Sequence, residues 1–214
     1  MSAREVRAVG LEALMLATEL LQRARRADSQ AGLWEAADVQ WWWRTPRRSD
    51  EVEKLFWVDD EGPVAGVLLT SWTDDAWQCD PVLVPGASGL EPGDVWRRAI
   101  EHAAKHSANG FDVPVGDDDR IFRELAQRSG FTAGHHDGTA GAAPRGVSAL
   151  RPGARPRGRD HRSPDRRTLG IDRLVTRGAQ RVKVSYETDA AAALYQGVGF
   201  LPTSTTTWYR ALSE

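Results

Sequence analysis

Few residues in this sequence have types and spacings that suggest chemistry. We expect His135-His136-Asp137 in a Gly-rich loop with no further residue at metal-ligand spacing, so it does not predict a metal site. The acidic run 117–119 precedes a helical pattern and suits either a helix cap or the attraction of a cationic amine. Cys79, the only cysteine, lies in a strand-like run and is expected to be a small buried side chain. Ser-x-x-Lys, Gly-x-Ser-x-Gly and His-Glu-x-x-His patterns are absent.

The stretch 181–200 changes its periodicity in a way that predicts a strand followed by a helix. Apolar and polar residues alternate over 182–186, which is typical of a half-buried strand. Thr188 or Asp189 can then cap a short Ala-rich helix, because both side chains accept hydrogen bonds from free backbone N–H groups. Glycines end this helix, and Phe200 returns a large apolar side chain to the core.

This order of strand, polar cap, Ala-rich helix, Tyr and Gly-Phe resembles the last conserved block of the GNAT acyltransferase superfamily. The resemblance implies transfer of an acyl group from acyl-CoA, taken here as acetyl-CoA, to an amine that a base deprotonates. It also places Tyr195 at the position of the donor that protonates the leaving CoA thiolate. A phenol suits that role, since its ordinary pKa of about 10 is close to that of a thiol.

The same family holds the CoA pyrophosphate at a helix N-terminus, in a loop of the pattern Gln/Arg-x-x-Gly-x-Gly/Ala. Arg167-Thr-Leu-Gly170-Ile-Asp172 matches the first Arg and the first Gly, which makes Arg167 and Gly170 candidate cofactor-binding residues. Asp189, at a common Asn position of the family, is a third candidate. Asp172 departs from the motif. The segment 85–93 occupies the same place in the first half of the chain, with three glycines but without the motif.

An internal repeat relates the stretch 181–200 to an earlier part of the chain. A shift of 69 positions superposes Gly130-Phe131 on Gly199-Phe200 without gaps and aligns the strand, cap and helix before them. This predicts a tandem duplication of one strand–helix unit. The two copies differ at the tyrosine, because Tyr195 superposes on Ala126.

The elements before the first Gly-Phe follow from periodicity and from turn residues. We predict helices at 11–26, 33–43, 95–106 and 121–129 and strands at 54–58, 64–72, 77–84 and 111–115, with a last strand at 205–212. Asp94 is expected to cap the third helix. The three adjacent tryptophans 41–43 cannot all face one side of a helix, so at least one is expected to be exposed or at an interface.

The segment 136–168 has a different composition, rich in Arg, Pro, Gly and Ala and without apolar periodicity. It predicts a disordered linker. Two alternatives are an Arg-rich arm for phosphates or nucleic acid, and out-of-frame translation of a GC-rich gene. The second alternative would account for a second repeat that has too few residues for its own front half.

Bulk composition narrows the function classes. With 41% hydrophobic residues among 214 the chain can form a core, and a formal net charge of −2 argues against a general nucleic-acid binder. One cysteine, no apolar run of about 20 residues and no signal-peptide pattern lead us to expect a cytoplasmic protein.

We therefore expect an α/β, GNAT-like fold with a mixed, mainly antiparallel sheet flanked by helices. Residues 1–135 resemble a nearly whole repeat without the catalytic Tyr, 136–168 a disordered insert, and 169–214 the C-terminal part of a second, truncated repeat. The resemblance implies an acetyl-CoA-dependent N-acyltransferase, here with impaired activity. The alternative is a non-catalytic module that binds acyl-CoA or a protein partner. We expect a small-molecule or peptide amine as acceptor and no membrane or nucleic-acid partner; a homodimer is compatible with the sequence.

Overall fold

The structure, a computed structural model, describes residues 3–30, 32–73, 75–142, 176–177, 182–197 and 199–211. The described residues form a mixed α/β fold with an open, mainly antiparallel sheet, which confirms the predicted fold class. Its elements, in chain order, are β1 (Arg4–Ala8), α1 (Gly10–Ala27), α2 (Ala36–Trp42), a 3-10 helix (Arg48–Glu51), β2 (Lys54–Asp59), β3 (Gly62–Ser71), β4 (Trp77–Leu83), α3 (Pro92–Ala103), β5 (Phe111–Gly116), α4 (Arg120–Arg128), β6 (Thr132–Ala142), β7 (Val182–Tyr186), α5 (Asp189–Gly197) and β8 (Leu201–Ala211).

The described residues divide into two compact units. Those up to His135 and those from Thr207 onward form the first unit, and those within His136–Thr206 form the second. One sequence-based boundary differs from the structure, because residues 136–142, assigned to the linker, continue strand β6. The end of β8, which the sequence assigns to the second repeat, lies in the first compact unit. The rest of the predicted linker, 143–168, lies outside the described residues.

In the first unit the strands follow the order β1-β2-β3-β4-β5, with β8 beside β5. Neighbours from β1 to β4 are antiparallel, whereas β4 and β5 are parallel. The β2–β3 hairpin turns at Gly62, whose φ of 118° favours glycine. Arg23 on α1 holds this turn by donating to Asp59 Oδ1 at 2.8 Å and to the Gly62 carbonyl at 3.0 Å. Strand β1 was not predicted from the sequence.

Two apolar clusters cover the faces of this sheet, as expected for strands whose residues alternate between faces. On one face α3 and α4 pack on β2–β5, where Trp96 is 3% exposed and lies 6.0 Å from Phe122 and 5.5 Å from Phe131. On the other face α1 and α2 pack on Phe56 and Leu68. Residues of β4 divide accordingly, so that Cys79 faces α3 and Val82 packs against the cluster of α1 and α2.

The second unit contains β7 and α5 with parts of β6 and β8. Strand β7 pairs antiparallel with β6, with Tyr186 opposite Gly138 and Val182 opposite Ala142. Phe200, 3% exposed, packs against a small group of partly buried side chains that includes Tyr195. Its local core is therefore small, and no residue of α5 is fully buried.

The shift of 69 positions that relates the two halves of the sequence also relates their elements. It carries α4 onto α5 and β6 onto β8 with identical bounds. The caps correspond too, since Asp119 accepts from the N–H of Phe122 at 3.0 Å and Thr188 from that of Ala191 at 3.2 Å. Thr188, not Asp189, therefore caps α5. The duplication inferred from the sequence stays a prediction about origin.

Candidate functional site

A cavity of about 480 Å³ lies in the first unit where β4 and β5 separate. The two strands pair only at Trp77–Phe111 and Gln78–Asp112. Further along, β4 contains Pro81 and β5 contains Pro114. Neither proline has a backbone N–H, so neither can donate a hydrogen bond that would continue the pairing of the two strands. The separation of the strands therefore has a local cause in the sequence, and it leaves the residues after Gln78 free to line the cavity.

The turn after β4 forms a second wall of the cavity. Ala87 donates its N–H to the carbonyl of Val84 at 3.0 Å, and Gly86 has a φ of 76°. Pro85 and Gly86 are thus the central residues of a type II turn, which needs glycine at its second central position. This turn leads into the N-terminus of α3 through Leu90 and Pro92, which also line the cavity.

Helix α3 begins earlier than predicted, at Pro92, so Asp94 lies in its first turn instead of capping it. Proline suits the first helical position because its missing N–H would have no partner there. The preceding residue, Glu91, makes no side-chain cap. The first-turn backbone N–H groups of a helix lack intrahelical partners and attract anions.

A buried carboxylate, Asp80, faces the cavity from β4. It is 3% exposed and accepts three hydrogen bonds of 2.8 Å, one to Oδ1 from the indole N–H of Trp34 and one to each oxygen from Nε2 of Gln78. Burial raises the pKa of Asp80 to about 6, although the bonds from Gln78 and Trp34 oppose that rise. A carboxyl group with such a pKa can exchange a proton near neutral pH.

Three further carboxylates line the cavity, and no Lys or Arg does so among the described residues. Asp28 follows α1, while Asp118 and Asp119 precede α4. Burial raises the pKa of Asp119, which caps α4. Asp117, the first residue of the predicted acidic run, instead accepts from the hydroxyl of Thr207 at 2.7 Å. The helix cap is thus confirmed for Asp119. Attraction of a cationic amine by this run stays a prediction.

The predicted catalytic residue Tyr195 lies on α5 in the second unit. It is half-buried, with its ring 5.7 Å from that of Phe200 and 6.4 Å from that of Tyr186. Asp189 is exposed in the first turn of the same helix. Neither is among the residues that line the cavity. Arg167 and Gly170, the predicted phosphate ligands, lie outside the described residues.

The remaining sequence candidates have structural roles. His135 lies on β6 instead of in a loop, and its ring stacks on Trp208 at 5.1 Å. No cluster of three or more metal-ligating side chains occurs in the described ranges. Cys79 is fully buried, and burial raises its pKa well above the ordinary value. Of the helices that are described, none is long and apolar enough to cross a membrane.

Asp80 and Trp34 were missed by reasoning from the sequence alone. Asp80 lies within a strand pattern and Trp34 at the start of a predicted helix, so neither pattern indicated a site. A usable signal was the sequence Asp80-Pro81 together with Pro114, because prolines in two neighbouring strands indicate that the strands cannot stay paired.

Solved structures resemble this chain over nearly its full length. A tandem GNAT protein from the clavulanic acid biosynthesis pathway superposes with a TM-score of 0.66 at 12% identity, covering 99% of this chain and 98% of that one. A GCN5-related N-acetyltransferase from Sphaerobacter thermophilus gives a TM-score of 0.56 at 11% identity, covering 97% and 95%. No family model matches the sequence, and no curated protein matches it significantly. At these identities the likeness establishes the fold.

Proposed function

Because the chain has the GNAT fold, which supports acyl-CoA-dependent acyl transfer in general, we propose that its first unit binds acetyl-CoA in the cavity and acetylates an amine. The observation that carries this proposal is the separation of β4 from β5 directly beside a glycine turn and the N-terminus of α3. An extended thioester ligand needs these features in this order along one groove.

The residues present fit such a ligand mainly through their backbone. The turn at Gly86 and Gly93 in the first turn of α3 offer backbone N–H groups to a pyrophosphate, as expected of a glycine turn before a helix. Pro92 has no N–H, and those of Asp94 and Val95 donate to the carbonyl of Glu91. The unpaired edge of β4 beyond Gln78 can pair with the amides of an extended chain, in the manner of an added strand. The acidic wall disfavours phosphates, so we expect the nucleotide end to bind at the turn and not beside Asp118.

Asp80 is the proposed general base. Its buried carboxylate takes a proton from the ammonium group of the acceptor, directly or through one water molecule, and leaves a neutral amine. The bound acetyl-CoA supplies the thioester carbonyl that this amine attacks, and the C–S bond breaks. Asp28, Asp118 and Asp119 add negative charge around the entering cation, which supports an amine acceptor.

Protonation of the leaving thiolate is the weaker half of the proposed reaction. Ala126, at 0% exposed on α4, takes the position that Tyr195 takes on α5, and no tyrosine lines the cavity within the described ranges. Tyr195 as thiolate acid, with Arg167, Gly170 and Asp189 as cofactor-binding residues, stays a prediction from the sequence, as does the homodimer. We expect slow transfer.

A second candidate is a module that binds acyl-CoA without turning it over. Alanine at position 126 favours it, because no tyrosine lines the cavity within the described residues to protonate a leaving thiolate. Both candidates share the cavity and differ in the use of Asp80.

Calorimetry with acetyl-CoA, followed by thiol release over a panel of amines, tests the proposal. We expect saturable binding and thiol release that depends on both the amine and Asp80. Absence of binding at millimolar acetyl-CoA would exclude both candidates. Binding without thiol release over the whole panel would leave only the binding module.

A further inference from the structure

Trp72 lies outside the cavity but is connected to Asp80 through Gln78. It follows β3, is 42% exposed and donates its indole N–H to Oε1 of Gln78 at 2.6 Å. Gln78 is 1% exposed and donates from Nε2 to both oxygens of Asp80. Trp72 is not among the residues that line the cavity. A partly exposed tryptophan is thus one side chain away from the buried carboxylate.

The chemistry of the three side chains fixes the orientation of the amide. An indole N–H can only donate, so its partner on Gln78 must be the amide oxygen. The amide is planar, and its NH₂ group must therefore point away from Trp72, toward Asp80. If the indole donor were removed, a half-turn of the amide would bring Oε1 to the carboxylate, which an anionic Asp80 repels and a protonated Asp80 can bind.

We propose that Trp72 is a positioning residue, whose indole N–H orients the amide of Gln78 so that N–H groups face the carboxylate of Asp80. The inference rests on the proposed function only for the use of Asp80 as a base. The orientation itself follows from the hydrogen bonds.

The ring of Trp72 is held in place by two contacts. The ring of Trp42 lies edge-to-face with that of Trp72 at 5.2 Å and with that of Trp34 at 4.9 Å. The tryptophan that donates to Gln78 and the tryptophan that donates to Asp80 therefore both contact Trp42. The guanidinium of Arg47 lies 4.8 Å from the centre of the Trp72 ring and donates to the carbonyl of Trp42. These contacts fix the direction in which the Trp72 N–H points.

The pKa of Asp80 depends on two opposing effects, burial and the hydrogen bonds that its carboxylate accepts. Burial raises its pKa, and the bonds from Gln78 and Trp34 lower it. Cys79 is the adjacent titratable group on β4, and the other carboxylates that line the cavity are Asp28, Asp118 and Asp119. Reversal of the Gln78 amide should therefore be visible in the titration of Asp80.

The test is a pH titration of the carboxyl carbons by NMR in full-length protein labelled at aspartate, with Asp80→Asn to assign the signal. Trp72→Phe keeps the ring and removes the donor, so we expect the pKa of Asp80 to rise by about 1 pH unit, comparable to one hydrogen bond to a charged group. Trp41→Phe, at a position 66% exposed, is the matched control and should leave the titration unchanged. In a Gln78→Leu background Trp72→Phe should have no further effect. An unchanged pKa in folded Trp72→Phe overturns the proposal.

A measurement on the wild-type protein covers the case in which Trp72→Phe does not fold. The indole proton signal of Trp72 should shift with the same midpoint as the carboxyl of Asp80, and this shift should vanish in Asp80→Asn. An indole signal that is insensitive to the titration of Asp80 contradicts the proposal. Neither experiment uses acetyl-CoA, so failure of the acyltransferase function and failure of the positioning role give different results.

Discussion

The indole N–H of Trp34 donates a hydrogen bond of 2.8 Å to Oδ1 of Asp80, which lies 46 positions further along the chain. This bond joins the loop before α2 to strand β4 and places a carboxylate on the cavity wall. With the two bonds from Gln78 it keeps a buried aspartate available in its charged form. The proposed chemistry of the first unit depends on this arrangement.

Asp80→Asn should reduce thiol release by about 100-fold or more, the usual range for loss of a general base, and leave the Kd for acetyl-CoA within about threefold. In the wild type the rate should rise with pH and level off above about 6, where Asp80 is deprotonated. Steady-state rates between pH 5 and 8 measure this. Asp28→Asn is the control, since Asp28 lines the cavity but is exposed. Equal losses in the two variants would contradict a specific role for Asp80.

The same carboxyl group should make stability depend on pH. The pKa of Asp80 is raised in the folded state from 3.8 to about 6, so its contribution to stability is present below about pH 4 and is lost as pH rises through about 6. At 1.36 kcal/mol per pH unit the loss is up to about 3 kcal/mol. Urea unfolding of wild type and Asp80→Asn from pH 4 to pH 7 should show this difference. A wild-type curve parallel to that of the variant would show that burial does not raise this pKa.

Ala87→Asp should weaken acetyl-CoA binding by about 10-fold or more, because it adds a carboxylate to the turn proposed to hold the pyrophosphate. Ser88→Asp adds the same charge at an exposed neighbour that does not line the cavity, and its Kd should stay within about threefold of wild type. Calorimetry at two salt concentrations separates direct contact from long-range repulsion. Equal weakening in both variants would place the phosphates elsewhere.

Gly130→Ala should destabilise the protein by about 1 kcal/mol, because Gly130 has a φ of 77° and an added methyl group would meet no atom within 4 Å. The cost is therefore conformational and not steric. Gly93→Ala is the matched change in the first turn of α3, where φ is ordinary and the nearest atom lies at 4.0 Å, and it should be neutral or stabilise by up to about 1 kcal/mol. Chemical denaturation measures both. The reverse order would show that packing controls these two glycines.

The helix ends show why part of the fold could be predicted. Phe131 donates its N–H to the carbonyl of Ala126 at 3.1 Å, and Phe200 donates to Tyr195 at 3.0 Å, so each helix ends in the same Gly-Phe motif. Caps and terminal glycines act over a few residues, which makes them readable in the sequence. Helix α5 was predicted for this reason.

Strands β1 and β6 were missed for the opposite reason. Residues 4–8 carry three charged side chains and become a strand only by pairing with β2, about 50 positions away. Residues 132–142 are rich in Gly, Ala and His, which predicts a loop, and the structure pairs their second half with β7. In both cases pairing with a distant strand overrides weak local propensity.

The sequence by itself determined the strand–cap–helix–Gly-Phe units and their offset of 69 positions, because these depend on local periodicity and on single capping residues. Its resemblance to the GNAT superfamily indicated the fold class. The tertiary structure alone decided where the cavity lies and which residues line it. It placed the cavity in the first unit, at Asp80 and the turn of Gly86, whereas the sequence had drawn attention to Tyr195. The physical reason is that a binding site depends on where two strands separate and which distant donors meet there, and no short stretch of sequence specifies such contacts.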